Sequence, residues 1–199
     1  GPTLIVAPTS VLGNWQKEFE RFAPNLRVQL HYGSNRNKGN LFEDFLQSAD
    51  VVLTSYALAQ LDEEELTSLC WDAVILDEAQ NIKNPHTKQS KAVRNLQANH
   101  KIALTGTPME NRLAELWSIF DFINHGYLGS LGQFQRRFVT PIEKDRDEGK
   151  IQQVQRFISP FLLRRTKKDQ TVALNLPDKQ EQKAYCPLTG EQASLYEQL

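Results

Sequence analysis

Two acids stand side by side where an apolar run ends. In the stretch "AVILDEAQNIKN" (73–84), four apolar residues lead straight into Asp77 and Glu78, and the amide of Gln80 follows with no Gly or Pro between them. Two accounts of this pattern are open. Strands end in water, and a solvated Asp-Glu pair is a common way to end one. The chemical account is that one carboxylate stands beside a phosphate-bound Mg²⁺ while its neighbour orients and deprotonates an attacking water. Gln80 carries both a donor and an acceptor, so it can engage two different groups at once.

Further small polar residues occur at the ends of other apolar runs. In "LTGTP", Thr105 and Thr107 are natural partners for Gln80, and Gly106 allows a tight turn between them; ordinary turn chemistry is the alternative. "APTS" and "LTSY" place Thr9, Ser10, Thr54 and Ser55 where hydroxyls and helix N-terminal N–H groups either cap helices or grip phosphates. Lys83 and Lys88 follow the acidic pair and could add phosphate contacts. Arg164, Arg165, Lys167 and Lys168 form the densest basic cluster, facing DNA, another domain or solvent. Trp15, Phe19 and Phe22 read as a core stripe. The four histidines, His31, His86, His100 and His125, share no spacing that suggests a metal site.

The elements that must carry these residues alternate. Apolar runs at 3–7, 26–32, 50–56, 73–77 and 101–106 read as strands. Between them lie helical patterns, including one with Ser10 as its N-cap and others at 87–96 and 113–122. This rhythm predicts an α/β fold around a mainly parallel sheet, whose ligands bind beyond the carboxyl ends of the strands. From about residue 126 the pattern turns helical and polar, with the charged stretch "EKDRDEGK" between helices. The first strand and the last helix both start or stop abruptly, so the 199 residues read as a piece of a longer protein.

Composition is that of an ordinary globular chain: 40% hydrophobic, 24% charged, and 23 Lys+Arg against 24 Asp+Glu. With a formal charge of -1, any nucleic-acid surface must be local. Two distant cysteines suggest neither a zinc site nor a disulfide framework, and no apolar run approaches membrane-span length. The expectation is no membrane partner, and a location in the bacterial cytoplasm with the nucleoid, or in the nucleus of a eukaryote.

Taken in order, "PTLIVAPTSVLGNWQKEFERFAP", "DVVLTSYALAQ", "VILDEAQNIKN", "ALTGTPMENRLAELWSIFDFI", "FLLRRTKKD" and "LPDKQE" closely resemble the Swi/Snf-type branch of the superfamily-two helicase-like ATPases. The resemblance implies that residues 1–125 are most of a first RecA-like lobe of the P-loop-NTPase type, 126–180 a helical protrusion, and 181–199 the start of the connection to a second RecA-like lobe. It implies ATP and Mg²⁺ as cofactors and double-stranded DNA as partner, with further protein partners open. Asp77 matches the Mg²⁺-coordinating acid, Glu78 the acid that polarises water, and Gln80 the link to Thr105, Gly106 and Thr107. Thr9, Ser10, Thr54, Ser55 and Lys83 match DNA-facing positions. The phosphate-cradling glycine-lysine loop of the family is not among these residues: of ten glycines only Gly149 precedes a lysine, and Ile151 stands in the Ser/Thr position.

The function so implied is a DNA-dependent ATPase motor that translocates on duplex DNA, with the 199 residues alone inactive. The rival is a catalytically silent DNA- or protein-binding module on a RecA-like lobe. An intact Asp77-Glu78 pair favours the motor.

Overall fold

The computed structural model describes residues 1–106 and 112–164. Thr107, the segment 108–111 and everything from Arg165 onward, including Lys167, Lys168 and the connection expected at 181–199, lie outside the described residues.

Five strands build one sheet: β1 (Thr3–Ala7), β2 (Val28–Leu30), β3 (Val51–Ser55), β4 (Cys70–Leu76) and β5 (Gln97–Ala103). They lie in the order β2-β3-β1-β4-β5, and every pairing is parallel. A parallel sheet needs helices across both faces, so its central strands must be apolar on both sides. β1 and β3 meet that demand. Leu4, Ile5, Val6 and Ala7 are buried, and so is every residue of β3.

The period-two alternation of strand side chains sorts them into two cores. Leu4, Val6, Val52, Val74 and Leu76 face one side, where they pack with Tyr56, Phe42, Leu66, Trp71 and Phe122. Ile5, Ala7, Val51 and Leu53 face the other, under Leu12, Trp15 and Phe19 of α1 (Leu12–Phe22). The remaining connections carry α2 (Asn40–Gln47), α3 (Tyr56–Leu61), α4 (Glu63–Thr67), α5 (Lys88–Asn95) and α6 (Leu113–Ile123). Thr87 caps α5, its hydroxyl accepting from Ser90 N at 3.1 Å.

Three local expectations shift. The last strand runs four residues earlier than its apolar pattern predicts. As an edge strand it takes polar Asn99 and His100 into the ladder, with Gln97 opposite Cys70 and Ala103 opposite Leu76. Ser10 does not cap α1: Thr9–Val11 form a 3-10 turn closed by Val11 N donating to Pro8 O at 3.0 Å, and the helix follows without a side-chain cap. The stretch "EKDRDEGK" is mostly helix. It closes α8 (Thr140–Asp145), turns through Arg146 in the left-handed conformation and enters α9 (Glu148–Ile158).

After residue 126 the described chain is helical, as its pattern predicts: α7 (Leu131–Phe134) passes through a π-helical turn (Gln135–Val139) into α8. Residues Gly1–Phe157 form one compact unit. The described part of the second unit is short and contains a 3-10 turn at Ser159–Phe161. No described helix is long and apolar enough to cross a membrane.

Candidate nucleotide site

The acidic pair sits at the carboxyl end of β4, where open parallel sheets bind ligands. Asp77 is still tied to the sheet, its N–H donating to Val6 O at 2.9 Å. Counting by two from Ile75, its side chain points to the α1 face. There Trp15 Nε1 donates to Asp77 Oδ2 at 2.9 Å, while Oδ1 accepts the N–H of Glu78 at 3.0 Å. From the opposite face the hydroxyl of Tyr56 donates to the carbonyl of Asp77 at 2.7 Å. Burial first, and then the two carboxylates, push the Tyr56 phenol well above its usual range, so it stays a donor.

Glu78 reverses the chain. Its φ of 51° and ψ of 54° are left-handed, a conformation that non-glycine residues rarely take. The reversal turns its side chain outward and starts the 3-10 turn Ala79–Ile82. Asn81 Nδ2 donates to Glu78 O at 2.8 Å and steadies it. Gly106 itself has no positive φ, and a Cβ there would meet nothing; its expected turn into Thr107 runs outside the described residues. The left-handed residue of the site is the catalytic candidate itself.

A chain of side chains then crosses from β4 to the end of β5. Thr105 Oγ1 donates to Gln80 Oε1 at 2.7 Å, and Gln80 Nε2 donates to Glu78 Oε2. Backbone bonds support the crossing: Leu104 N donates to Leu76 O at 2.8 Å and Ala79 N to Leu104 O at 2.9 Å. The oxygen of the Gln80 amide thus serves the end of β5 and its nitrogen the end of β4.

Helices α5 and α6 hold the turn from behind. Ser90 and Ser118 hydroxyls both donate to the carbonyl of Ile82, at 3.0 and 2.5 Å, so the last residue of the turn is fixed in the core. Arg94 on α5 pairs with the buried Asp121 on α6 at 2.7 Å and donates to Pro85 O at 2.9 Å.

The strand-end hydroxyls separate into two groups. Thr9 and Ser10 are exposed on the 3-10 turn after β1. Thr54 and Ser55 are buried, which corrects the expectation that their hydroxyls face DNA. Thr54 Oγ1 donates to His31 O at 3.0 Å, and Ser55 Oγ accepts from Leu58 N as the N-cap of α3. A residue that caps a buried helix has no lone surface for a phosphate. Lys83 is half-buried directly after the 3-10 turn, and Lys88 is exposed at the start of α5.

Two histidines do have acidic partners that spacing did not reveal. His31 Nε2 meets Asp62 Oδ2 at 2.9 Å, and His125 Nδ1 meets Asp121 Oδ1 at 3.1 Å. Trp15 and Tyr56 were likewise invisible as site residues. Both contacts to Asp77 run between distant segments, and only a helix following a strand adjacent to the acidic one could have hinted at them.

The donor set suits a hard cation held partly by phosphates. Asp77 offers carboxylate oxygens at a strand end, and the described residues contain no group of three or more His, Cys, Asp or Glu able to hold a metal alone.

Fold and site together define a RecA-like lobe of the SWI2/SNF2 ATPase type. The chain belongs to the SNF2-related domain family, which matches residues 1–199. It is 66% identical over 198 residues to the ATP-dependent helicase/translocase YwqA of Bacillus subtilis, covering 100% of this chain and 22% of that protein. It is 37% identical over 211 residues to the human DNA excision repair protein ERCC-6, covering 99% of this chain and 14% of that protein. Among solved structures, the Sulfolobus solfataricus SWI2/SNF2 ATPase core in complex with dsDNA superposes with a TM-score of 0.78 at 45% identity, covering 99% of this chain and 40% of that one. The chain therefore spans about a fifth or less of these curated relatives and two fifths of the solved core.

Proposed function

We propose that this chain is the Mg²⁺- and water-handling part of a DNA-dependent ATPase motor that moves along duplex DNA. One observation carries the reading: the hydrogen-bonded series Thr105–Gln80–Glu78, beside an Asp77 carboxylate fixed at the end of a parallel strand. A solvated strand end needs no such series.

Bound MgATP supplies a polarised γ-phosphate. Asp77 would hold the metal through its carboxylate. Glu78, turned outward by its left-handed backbone, accepts a proton from the attacking water. Gln80 holds the Glu78 carboxylate and senses Thr105, so a movement at the end of β5 changes the aim of the base. The exposed Thr9 and Ser10, with Lys83, are the contacts proposed for the duplex backbone, and such contacts position without reading sequence. On this reading, a phosphate loop and a second RecA-like lobe of the family type would complete the site in the full-length protein.

The test uses that full-length protein. Glu78→Gln keeps shape and a hydrogen bond but removes the base, so turnover with duplex DNA should fall by roughly 10²–10⁴-fold while ATP binding survives. Asp77→Asn should weaken Mg²⁺-dependent binding together with turnover. Gln80→Ala should lose more DNA stimulation than basal rate. Normal DNA-stimulated hydrolysis by Glu78→Gln would falsify the assignment.

A further inference from the structure

Asp77 is held more completely than a strand end requires. Its backbone is fixed by its own N–H to Val6 O at 2.9 Å and by the Tyr56 hydroxyl on its carbonyl at 2.7 Å. Its carboxylate is fixed by Trp15 Nε1 on Oδ2 at 2.9 Å and by Glu78 N on Oδ1 at 3.0 Å. The two aromatic donors come from opposite faces of the sheet, Trp15 with the core under α1 and Tyr56 with the larger core beneath β1, β3 and β4.

We propose that Trp15 and Tyr56 form a two-sided clamp that positions Asp77 for its cation. The inference rests on Asp77 being the metal-facing acid. An ionised carboxylate has about four lone-pair directions. Trp15 and the Glu78 N–H take one on each oxygen, which leaves one on each for a cation and removes rotation about the carboxyl bond. An indole suits this task because it is a donor only and carries no charge to compete with the metal. It is also rigid and half-buried against Phe19, the ring centroids 5.9 Å apart. Tyr56 does the complementary work on the backbone. Its hydroxyl also reaches Glu78 O at 3.4 Å, so it holds the carbonyls on either side of the left-handed turn. Neither ring touches the reacting atoms; both act through Asp77.

Hydrogen bonds to metal-ligating groups commonly set metal affinity, and their loss costs about 10–100-fold. In the full-length protein, binding of a fluorescent ATP analogue is followed as Mg²⁺ is titrated and again in EDTA. Trp15→Phe retains the ring and should raise the Mg²⁺ midpoint roughly tenfold or more, leaving binding in EDTA within about twofold. Tyr56→Phe should raise the midpoint in the same direction. In an Asp77→Ala background, where there is no carboxylate to hold, Trp15→Phe should add nothing to the midpoint. Thermal melting of each variant accompanies the titration. Should Trp15→Phe melt early, Tyr56→Phe, which removes one oxygen atom, carries the same test. An unchanged midpoint in a folded clamp variant, with Asp77→Ala raising it, overturns the clamp and leaves the metal role of Asp77 standing. An additive effect of Trp15→Phe on Asp77→Ala overturns it too. No effect of Asp77→Ala itself removes the metal role, and the clamp with it.

Discussion

At the residue scale, the candidate site is a short polar path laid across the ends of two strands. Thr105 is joined to Glu78 through Gln80. Thr105→Val, which keeps shape and removes the hydroxyl, should therefore uncouple: basal ATP hydrolysis falls by less than about tenfold, one ordinary hydrogen bond's worth, while the ratio of DNA-stimulated to basal rate falls further. Steady-state rates with and without duplex DNA check this, and an unchanged ratio speaks against the path. Asp77, Glu78, Gln80 and Thr105 were legible in the sequence because their types and spacing sit at strand ends that periodicity locates. Trp15 and Tyr56 were not, because their bonds to Asp77 and its carbonyl span 62 and 21 residues and depend on which strands are neighbours. Thr54 and Ser55 were misread for the opposite reason. A strand-end hydroxyl looks the same in sequence whether it faces solvent or caps a buried helix.

At the scale of elements, α5 and α6 act as one support for the turn after Glu78. The hydroxyl oxygens of Ser90 and Ser118 lie 3.0 Å apart and both hydroxyls donate to the Ile82 carbonyl, and Arg94 and Asp121 join the same two helices one turn away. Asp121 is 5% exposed, so removing it strands a guanidinium in a nearly dry site. Asp121→Ala should lower unfolding free energy by about 3–5 kcal/mol, the usual cost of breaking a buried pair from one side. Urea unfolding of the full-length protein measures it, and a loss below about 1 kcal/mol would place the pair among surface bridges. The helices themselves were readable from apolar spacing. Their joint grip on Ile82 was not, since Ser90 and Ser118 lie 28 residues apart. The parallel sheet was readable as an alternation of elements, whereas the true start of β5 was hidden because an edge strand tolerates polar residues that periodicity counts against it.

At the scale of the whole molecule, a buried charged cluster links stability to pH. Asp62 is fully buried and accepts from His31, Arg36 and Lys38, which together hold its carboxyl far below its ordinary 3.8 despite the opposing effect of burial. His31 is 1% exposed; burial pushes its imidazole below its ordinary 6.5, outweighing the pull of Asp62, while Arg36 lowers it further and Glu65 raises it. Its Nδ1 has no partner, which suits a neutral ring donating through Nε2. The signs agree. The unfolded chain takes up the His31 proton first as pH falls below 6.5, and the Asp62 proton below 3.8, so acidification lowers stability in two stages. The loss should set in as pH falls through 6.5, with a slope that cannot exceed about 1.4 kcal/mol per pH unit for this one group. His31→Gln should flatten that stage, because an amide donates to Asp62 without titrating. Melting curves from pH 8 to 5 decide it: a flat wild-type profile would mean that folding leaves the His31 imidazole unperturbed, and stability rising toward pH 5 would mean that His31 is protonated in the fold.

The left-handed backbone of Glu78 sets folding and work against each other at a single position. Most residues with a Cβ cost about 1–2 kcal/mol more than glycine there, asparagine being the usual exception. Glu78→Gly should therefore unfold at higher urea than Glu78→Ala, by a margin of about 1 kcal/mol; equal midpoints would show that the turn bears no strain. The consequence is historical. Where a lineage still hydrolyses ATP through this turn, selection must keep refusing the more comfortable residue. In a gene copy released from that duty, folding alone would steer position 78 toward glycine or asparagine. The residue found there becomes a marker of disuse, readable without an assay.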